Sequence, residues 1–390
     1  MRAGMHCRHD WRVGFIRSTP VFGLSRLWLF GVEVFVQVFT HGIRTPSGSL
    51  HFNQPWLILL NHVVYTADSG WYMSIVTGGY THQPFSTRVQ ANWAFFPGYP
   101  AIVRFLGNVF GHHYLVVGVI ISNLSFWGFM VCLWVWVARR QGGHRADFAI
   151  FLAAMWPTSP YTMAFRADSL FMLTVILFWV FLDGERFSLA AVLGLLASLI
   201  RPTGVLLAVP YLVAVWQHRP RWAERFTLGM RAGTFGTGLI TTAAIDQHCT
   251  GNLLAFSAIQ QAWGRHLTWP FHWVIRWMSH PTITDQYGWD LGVMSVCVIF
   301  LGLVVTLALY RNRRRWPDTT YVGIITLTTV MWTTMLGTVR FMAQIPQVYV
   351  TVADWAGGSN YRRDLVLIGI TMLGTFYAVL WALGISAVMS

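Results

Sequence analysis

The chain has 390 residues, of which 55% are hydrophobic and only 11% are charged. Soluble domains carry about 25% charged residues, and the mean hydropathy here is +0.50, so the composition excludes a soluble globular enzyme and a disordered scaffold. The net charge is +13 and all 27 basic residues are arginines. Because they cluster between apolar runs, they indicate orientation in a membrane rather than a nucleic-acid partner.

Eleven apolar runs predict an all-α polytopic membrane protein in which residues 1–390 form one integral membrane domain. The first run, at about 21–39, follows an arginine-rich segment and has no small-residue cleavage site close behind it. We therefore expect a retained helix with a cytoplasmic N-terminus. The other runs lie near 115–138, 147–164, 168–182, 188–200, 204–217, 227–246, 291–310, 320–338, 341–353 and 364–388. Several are short for a bilayer of about 30 Å, so tilted, broken or re-entrant helices are the alternative.

If the helices alternate, the arginine clusters at 139–145, 219–231, 311–315 and 362–363 all lie on the N-terminal side, which supports roughly eleven spans. Two stretches, about 40–114 and 247–290, are too long and too polar to be turns and are predicted on the outer face. The absence of Lys and of long tails favours a bacterial inner membrane.

Few carboxylates lie on the predicted outer face, so an enzyme working there would draw its general base from them or from a histidine. They are Asp68, Asp168, Asp246, Asp285 and Asp290. Asp68 lies close to Trp71 and Tyr72, and partial desolvation among aromatic rings predicts a raised pKa that suits a base. The alternative is a loop aspartate that caps a short helix through Ser69 and Gly70.

The segment 92–100 is rich in aromatic residues and proline, so it is not expected to form a continuous helix. It contains Trp93 and Phe96. Such a surface suits stacking against a sugar or covering a lipid chain. An interfacial aromatic belt is the alternative.

Arg201 lies between two apolar runs, where a charge is costly unless it meets an anion such as a phosphate or carboxylate. The alternative is that the run ends at the interface and Arg201 snorkels to water. For Arg340, at the last outer-face turn, the same two alternatives apply: it binds an anion or it snorkels to water. Asp168 is expected to pair with Arg166 or to face solvent.

No metal cage or other cofactor site is expected from the sequence. The four cysteines form no paired pattern, and His62, His112, His113 and His248 show no metal-ligand spacing with carboxylates. Binding of a divalent ion by a carboxylate and a neighbouring acid is left open by the sequence.

Taken in order, these segments resemble the PIG-V-like mannosyltransferases, bacterial relatives of GPI mannosyltransferase II with the GT-C glycosyltransferase fold. The resemblance covers most of residues 21–350. It is carried by Asp68–Tyr72, Asn92–Pro97 with Tyr99-Pro100, Asn123-Leu124, Asp168–Phe171, Arg201–Gly204, Gly251-Asn252 with Ala255-Phe256, Gln261–Gly264, and Arg340-Phe341. The chain departs from the family at Ala67, where a Trp is usual, and at Arg166–Asp168, where a Tyr-Thr-Glu run is usual.

The resemblance implies that the first outer-face loop carries the catalytic aspartate and that the donor is a polyprenyl-phosphate-linked sugar, typically mannose. Asp68 is then expected to take a proton from an acceptor hydroxyl that attacks with inversion. Arg201 and Arg340 would hold the departing phosphate, and Asp168 would orient the acceptor or position Asp68. The substrate-contacting residues are expected to be Trp71, Tyr72, Trp93, Phe96, Gln261 and Trp263.

The acceptor is expected to be a hydroxyl group on a glycan, a lipid-linked saccharide, a protein or a phosphoinositol lipid. Nothing in the sequence selects among these acceptors or identifies the sugar that is transferred. Two other classes are open: a flippase or transporter for polyprenyl-linked glycans, and a non-catalytic subunit of a membrane glycosylation complex.

Overall fold

The computed structural model describes residues 2–39, 64–65, 68–219, 221–280, 284–285, 288–289, 292–312, 315–331 and 337–384. The regular elements in this part of the chain are helices, together with two antiparallel two-residue strands, β1 (Thr284–Asp285) and β2 (Gly288–Trp289). The helices are α1 (Arg2–Phe39), α2 (Asp68–Gly78), α3 (Gly98–Val109), α4 (Tyr114–Gln141), α5 (Gly143–Met155), α6 (Asp168–Asp183), α7 (Phe187–Ile200), α8 (Ala208–His218), α9 (Trp222–Met230), α10 (Thr237–Thr250), α11 (Ala255–Ala258), α12 (His272–Ser279), α13 (Gly292–Tyr310), α14 (Trp316–Val330), α15 (Thr338–Ala343), α16 (Pro346–Ala356) and α17 (Asn360–Ala382).

Three of the described helices are long and apolar enough to cross a membrane: Asp10–Phe39, Tyr114–Gln141 and Asn360–Ala382. Phe187–Ile200 and Met294–Tyr310 are shorter apolar helices. The predicted count of eleven spans is therefore not confirmed.

Several predicted spans are broken where proline or glycine interrupts helical hydrogen bonding. The run predicted at 147–164 ends at Met155, just before Pro157. The run at 204–217 is divided into a 3₁₀ turn, Pro202–Leu207, and α8. Similarly, the run at 341–353 is divided between α15 and α16 ahead of Pro346.

The run predicted at 227–246 also consists of more than one helix. It is shared by α9, a glycine-containing 3₁₀ turn, Arg231–Gly236, and α10. These interruptions explain why apolar length in the sequence overestimates the length of the helices.

The core is built around α4, which packs against α1, α5 and α6, and α6 in turn packs against α7. At one end of this core, ion pairs join four helices. Arg139 contacts Asp10 at 3.1 Å, and Arg140 contacts Asp183 at 2.7 Å and Asp318 at 3.1 Å. We call this the arginine-rich end.

Helix α6 connects the arginine-rich end to the opposite end of the bundle. It begins at Asp168 and ends at Asp183, positions about 22 Å apart at a rise of about 1.5 Å per residue. Asp168 and its neighbours therefore lie far from the arginine-rich end.

The two predicted outer-face loops contain short helices in their described parts. The first holds α2, a 3₁₀ turn, Asn92–Ala94, and α3, which confirms that 92–100 is not one continuous helix. The second holds α11, a 3₁₀ turn, Ile259–Trp263, α12 and the two strands. His62, Ala67 and Asp290 lie outside the described residues.

Candidate active site

Four charged residues predicted from the sequence come from separate elements and meet at the end opposite the arginine-rich end. Asp68 and Asp168 open α2 and α6, where a carboxylate is favoured by the exposed N–H groups of the first turn. Arg201 directly follows α7 in an extended conformation, as expected for a residue before Pro202. Arg340 lies in α15.

The last turn of α7, which carries Arg201, is enclosed by three glycines from different segments. A Cβ on Gly98 would lie 2.8 Å from the Leu199 carbonyl oxygen. A Cβ on Gly204 would overlap the backbone of Ala197, and one on Gly238 would overlap the carbonyl of Ser198. Backbone therefore packs directly on backbone around this turn, which fixes the position of Arg201.

Asp68 accepts hydrogen bonds at Oδ2 from two arginines. Arg340 donates through Nη1 over 2.8 Å, and Arg166 donates through Nη2. The Asp68 side chain is 20% exposed. The residue predicted as the base is thus a partly exposed carboxylate held by two guanidinium groups.

Asp168 is the buried centre of the same network. Its Oδ1 accepts from Arg201 Nη2 at 2.9 Å and from Gln344 Nε2 at 3.0 Å, and its Oδ2 accepts from Arg166 Nε at 3.4 Å. Arg340 Nε lies 3.6 Å from Oδ1. Asp168 is 2% exposed, so the expectation that it faces solvent is wrong, and its pairing with Arg166 is confirmed.

The aromatic ring of Tyr161 supports two of these arginines. The Arg166 guanidinium lies 4.5 Å from the ring centroid and that of Arg340 lies 5.5 Å away. A cation over an aromatic face is stabilised without being neutralised. The ring therefore helps to hold both guanidinium groups in place.

The prediction of a raised pKa at Asp68 is wrong. Burial raises the pKa of this carboxyl, but the charges of Arg166 and Arg340 outweigh burial and hold the pKa below its usual value. The aromatic neighbours of Asp68 are adjacent in the sequence, whereas Arg166 and Arg340 are distant in sequence and are brought beside Asp68 only by the fold. Asp68 is consequently ionised at neutral pH.

A cavity of about 370 Å³ opens beside Asp68. Its charged wall residues among the described part of the chain are Asp68, Arg201, Arg265 and Arg340, and its aromatic wall residues are Tyr72, Phe95, Phe96, Phe256, Trp263 and Phe341. A mostly apolar cavity with a few convergent charged groups is typical of a ligand site.

Arg265 is a wall residue that the sequence reasoning missed. It follows the 3₁₀ turn that ends at Trp263, and its Nη1 donates to Gln260 Oε1 over 3.3 Å. Burial lowers the pKa of Arg265 to about 10, and the nearby charge of Arg340 adds to this effect. The guanidinium remains charged at neutral pH. The signal in the sequence was an arginine directly after the Gln261–Gly264 motif.

Among the buried polar atoms of the cavity wall that make no hydrogen bond within the described residues are Nε of Arg201, Oγ1 of Thr203 and Nε of Arg265. Buried polar groups without partners are rare in folded proteins. All three can donate a hydrogen bond, so they suit an anionic ligand.

Among the described residues, the charge in this region is unbalanced. The carboxylates of Asp68 and Asp168 lie among the guanidinium groups of four arginines, so two positive charges are in excess. The four are Arg166, Arg201, Arg265 and Arg340.

Of the six predicted substrate-contacting residues, three line the cavity: Tyr72, Phe96 and Trp263. Trp93 does not, because it is fully buried and its Nε1 donates to the Thr81 carbonyl. Trp71 packs instead on Phe95 and Trp263, behind the wall.

Gln261 is exposed and lies off the cavity wall; the preceding Gln260 lines it. The 3₁₀ turn, with about three residues per turn, directs successive side chains to different sides. The sequence does not show which side chain of this turn faces the cavity.

Asp246 has a structural role. It is buried, and its Oδ2 accepts from the Phe256 backbone N–H at 2.6 Å, which ties α10 to the second outer-face loop. No group of three or more His, Cys, Asp or Glu side chains among the described residues could hold a metal ion.

No protein-family model matches the chain, and no curated protein matches it by sequence. The structure resembles solved structures of the oligosaccharyltransferase of Archaeoglobus fulgidus. The apo form is 10% identical with a TM-score of 0.50, over 90% of this chain and 56% of that chain. The form tethered with an acceptor peptide is 12% identical with a TM-score of 0.48, over 90% and 55%. The complex with an inhibitory peptide and a dolichol-phosphate is 11% identical with a TM-score of 0.47, over 93% and 56%.

The chain spans a little over half of the length of these proteins. At such identities the likeness establishes the fold alone. The fold assignment rests on the comparison with the apo form, whose TM-score is 0.50. The PIG-V-like resemblance rests on the sequence motifs, because no comparison supports that family. The chain therefore shares the fold of an archaeal oligosaccharyltransferase, which is the GT-C glycosyltransferase fold that the motifs predicted.

Proposed function

We propose that this protein is a membrane glycosyltransferase that transfers a sugar, mannose by the resemblance of its motifs, from a polyprenyl-phosphate donor to an acceptor hydroxyl with inversion. The observation that carries the proposal is the cavity in which Asp68 lies beside Arg201, Arg265 and Arg340. The shared fold supports it independently.

The charge of the site fits the chemistry of the leaving group. A sugar linked to a polyprenyl phosphate is a phosphodiester with one negative charge, whereas the departing polyprenyl phosphate is a monoester that approaches two. The two excess positive charges of the cluster match the product of bond cleavage better than the substrate. Such a site stabilises the transition state more than the ground state.

The proposed reaction needs one base and no protonating acid. The acceptor oxygen forms a bond to the anomeric carbon as the bond from that carbon to the phosphate oxygen breaks. Asp68 takes the acceptor proton, and the phosphate leaves with the bonding electrons towards Arg201, Arg265 and Arg340. Asp168 acts as a positioning residue, because it is buried and holds Arg166 and Arg201.

The aromatic wall suits the two other parts of the ligands. Tyr72 and Trp263 offer ring faces to a sugar, while Phe256 and Phe341 offer apolar surface to the isoprenoid chain. The acceptor is a hydroxyl-bearing glycan, lipid or protein. No cofactor is proposed.

The proposed orientation follows from the arginines. Clusters of arginine favour the cytoplasm, and the site lies at the opposite end of α6 from the arginine-rich end. We therefore propose a bacterial inner-membrane protein with its site on the periplasmic face.

Sugar transfer by the purified chain in vesicles, with polyprenyl-phosphate mannose as donor and octyl α-mannoside as acceptor, tests the proposal. Asp68→Asn is expected to lower turnover by about 100-fold or more, the usual contribution of a positioned base. Near-wild-type turnover by this variant would remove Asp68 from the base role.

The matched control is Asp354→Asn, a half-exposed carboxylate paired with Arg145 at 3.1 Å in the second half of the chain. Its turnover is expected to stay at the wild-type level. Arg201→Ala is expected to weaken donor binding, and unchanged donor affinity would contradict the phosphate assignment. If the purified chain moves the donor across the bilayer without transfer, it is a flippase; if it does neither alone, it is a non-catalytic subunit.

A further inference from the structure

Helix α12 exposes one continuous apolar stripe. Ile275 and Met278 follow each other at the i, i+3 spacing that places side chains on one helix face, and Phe271, the residue directly before the helix, is also exposed. Ile275 is 53% exposed and Met278 is 66% exposed. Large apolar side chains grouped in this way mark a contact surface.

The segment before α12 extends this surface. Leu267 and Trp269 are also largely exposed. Trp273 and Trp277 lie on the less exposed side of the helix and stack with ring centroids 6.1 Å apart. The apolar patch therefore runs from the loop into the helix.

The composition of this region indicates what it contacts. Residues 251–280 contain no acidic residue, but they include two arginines and three histidines, and four tryptophans fall within residues 263–277. Tryptophan and basic residues beside an apolar stripe are typical of a helix lying at the surface of an anionic bilayer. A second copy of this basic chain would bring like charges together.

Backbone hydrogen bonds fix where the segment lies. The Thr268 N–H donates to the Met331 carbonyl at 2.8 Å, and the Phe271 N–H donates to the Val330 carbonyl at 3.0 Å. In helix α14, Val330 lies about 18 Å from Asp318 at the arginine-rich end, at a rise of about 1.5 Å per residue. Helix α12 thus lies at the end of the bundle that carries Asp68.

We propose that residues 267–279 lie in the interfacial layer of the membrane, with the stripe of Phe271, Ile275 and Met278 among the acyl chains and Arg276 at the level of the anionic headgroups. Arg265 lies two residues before this segment. If the proposed function is also correct, the segment holds the cavity wall at the depth of a lipid phosphate. The membrane contact itself does not depend on that function.

Photolabelling tests the contact on the unmodified full chain. The protein is placed in vesicles of phosphatidylcholine and phosphatidylglycerol that contain a lipid with a diazirine on its acyl chain, and adducts are mapped by mass spectrometry. We expect adducts on the peptide that contains Phe271, Ile275 and Met278, as well as on Tyr114–Gln141. Labelling of Tyr114–Gln141 without labelling of that peptide would overturn the proposal.

A pair of spin-labelled variants tests the orientation of the helix. In a background whose four cysteines are replaced by serine, Ile275→Cys is compared with Arg276→Cys, the exposed neighbour about 100° around the same helix. We expect the label at 275 to be more accessible to oxygen than to a water-soluble nickel complex, and the label at 276 to show the reverse. Equal nickel access at both positions contradicts the proposal, as does dipolar broadening at 275 from a second copy.

Discussion

Arg340 donates a hydrogen bond of 2.8 Å to Asp68 across 272 positions of sequence. The pair joins the first outer-face loop to one of the last helices. It also links the proposed base to a proposed phosphate ligand. A donor phosphate that draws Arg340 towards itself weakens the hold on Asp68 and makes this carboxylate a stronger base, so donor binding and proton transfer are expected to be coupled.

Replacing Arg340 is expected to shift the pH dependence of transfer. Arg166 and Arg340 hold the pKa of Asp68 below its usual value, so Arg340→Gln raises that pKa. The acid limb of the single-turnover rate should move to higher pH, as measured with polyprenyl-phosphate mannose. The exposed outer-loop variant Arg88→Gln serves as the control. An acid limb at the wild-type position in Arg340→Gln would contradict the role of the ion pair.

The same ion pair predicts the sign of a stability change with pH. The folded-state pKa of Asp68 is depressed, so the stabilisation is fully present above the unfolded value of about 3.9. It is lost as the pH falls through the lowered folded-state value. Acid unfolding followed by tryptophan fluorescence should therefore begin at a higher pH in Arg340→Gln than in the Arg88→Gln control.

Arg265→Gln is expected to reduce transfer by about 10- to 150-fold, the range for one charge-assisted hydrogen bond of about 1.5–3 kcal/mol. Because charge grows on the phosphate as the bond breaks, kcat should fall more than donor affinity. Single-turnover rates and donor binding separate the two effects. The Arg88→Gln variant should retain both, and a normal kcat in Arg265→Gln would show that Arg265 does not meet the departing phosphate.

Asp168→Asn is expected to destabilise the fold rather than only slow the reaction. Removing one partner from a buried ion pair costs about 3–5 kcal/mol, whereas Asp354→Asn disturbs a half-exposed pair worth at most about 1 kcal/mol. Unfolding free energies in mixed micelles measure the difference. In a double-mutant cycle, Arg201→Gln should cost less in the Asp168→Asn background than alone. Additive losses would argue that the two residues are not coupled.

Gly238→Ala is expected to displace Arg201, because the added Cβ overlaps the Ser198 carbonyl in the last turn of α7. Overpacking of this kind costs about 1–3 kcal/mol. Because Arg201 is displaced, the affinity of the Gly238→Ala variant for the donor should also fall. Gly236→Ala is the matched control, since a Cβ there meets nothing within 4 Å. Equal donor affinities in the two variants would contradict the positioning role of this contact.

The sequence predicted the principal charged residues of the site because charge is scarce in a membrane protein. Asp68, Asp168, Arg201 and Arg340 stand out between apolar runs, and the structure brings all four together. Their partners were harder to identify. Whether Asp68 meets aromatic rings or two arginines depends on contacts between distant segments, and these contacts reversed the predicted direction of its pKa.

Helix type was predictable, but helix continuity was not. Apolar runs correctly gave helices such as Tyr114–Gln141, where no proline intervenes. Runs with proline or clustered glycine are predicted as single spans, although the helices are interrupted at Pro157 and Pro346. The register of the turn Ile259–Trp263 decides whether Gln260 or Gln261 lines the cavity, and hydrophobic patterning carries no information at that scale.

The charged cluster constrains how the protein is made. In the proposed orientation, Arg166, Arg201 and Arg340 lie on the side of the bundle to which the orientation rule resists moving arginines, and they would be translocated before their partners are all present. Asp68 emerges 272 residues ahead of Arg340 during synthesis. The ion pairs among these residues can all form only after α15 has been synthesised. In this orientation, stable insertion of the first third of the chain therefore depends on the final third.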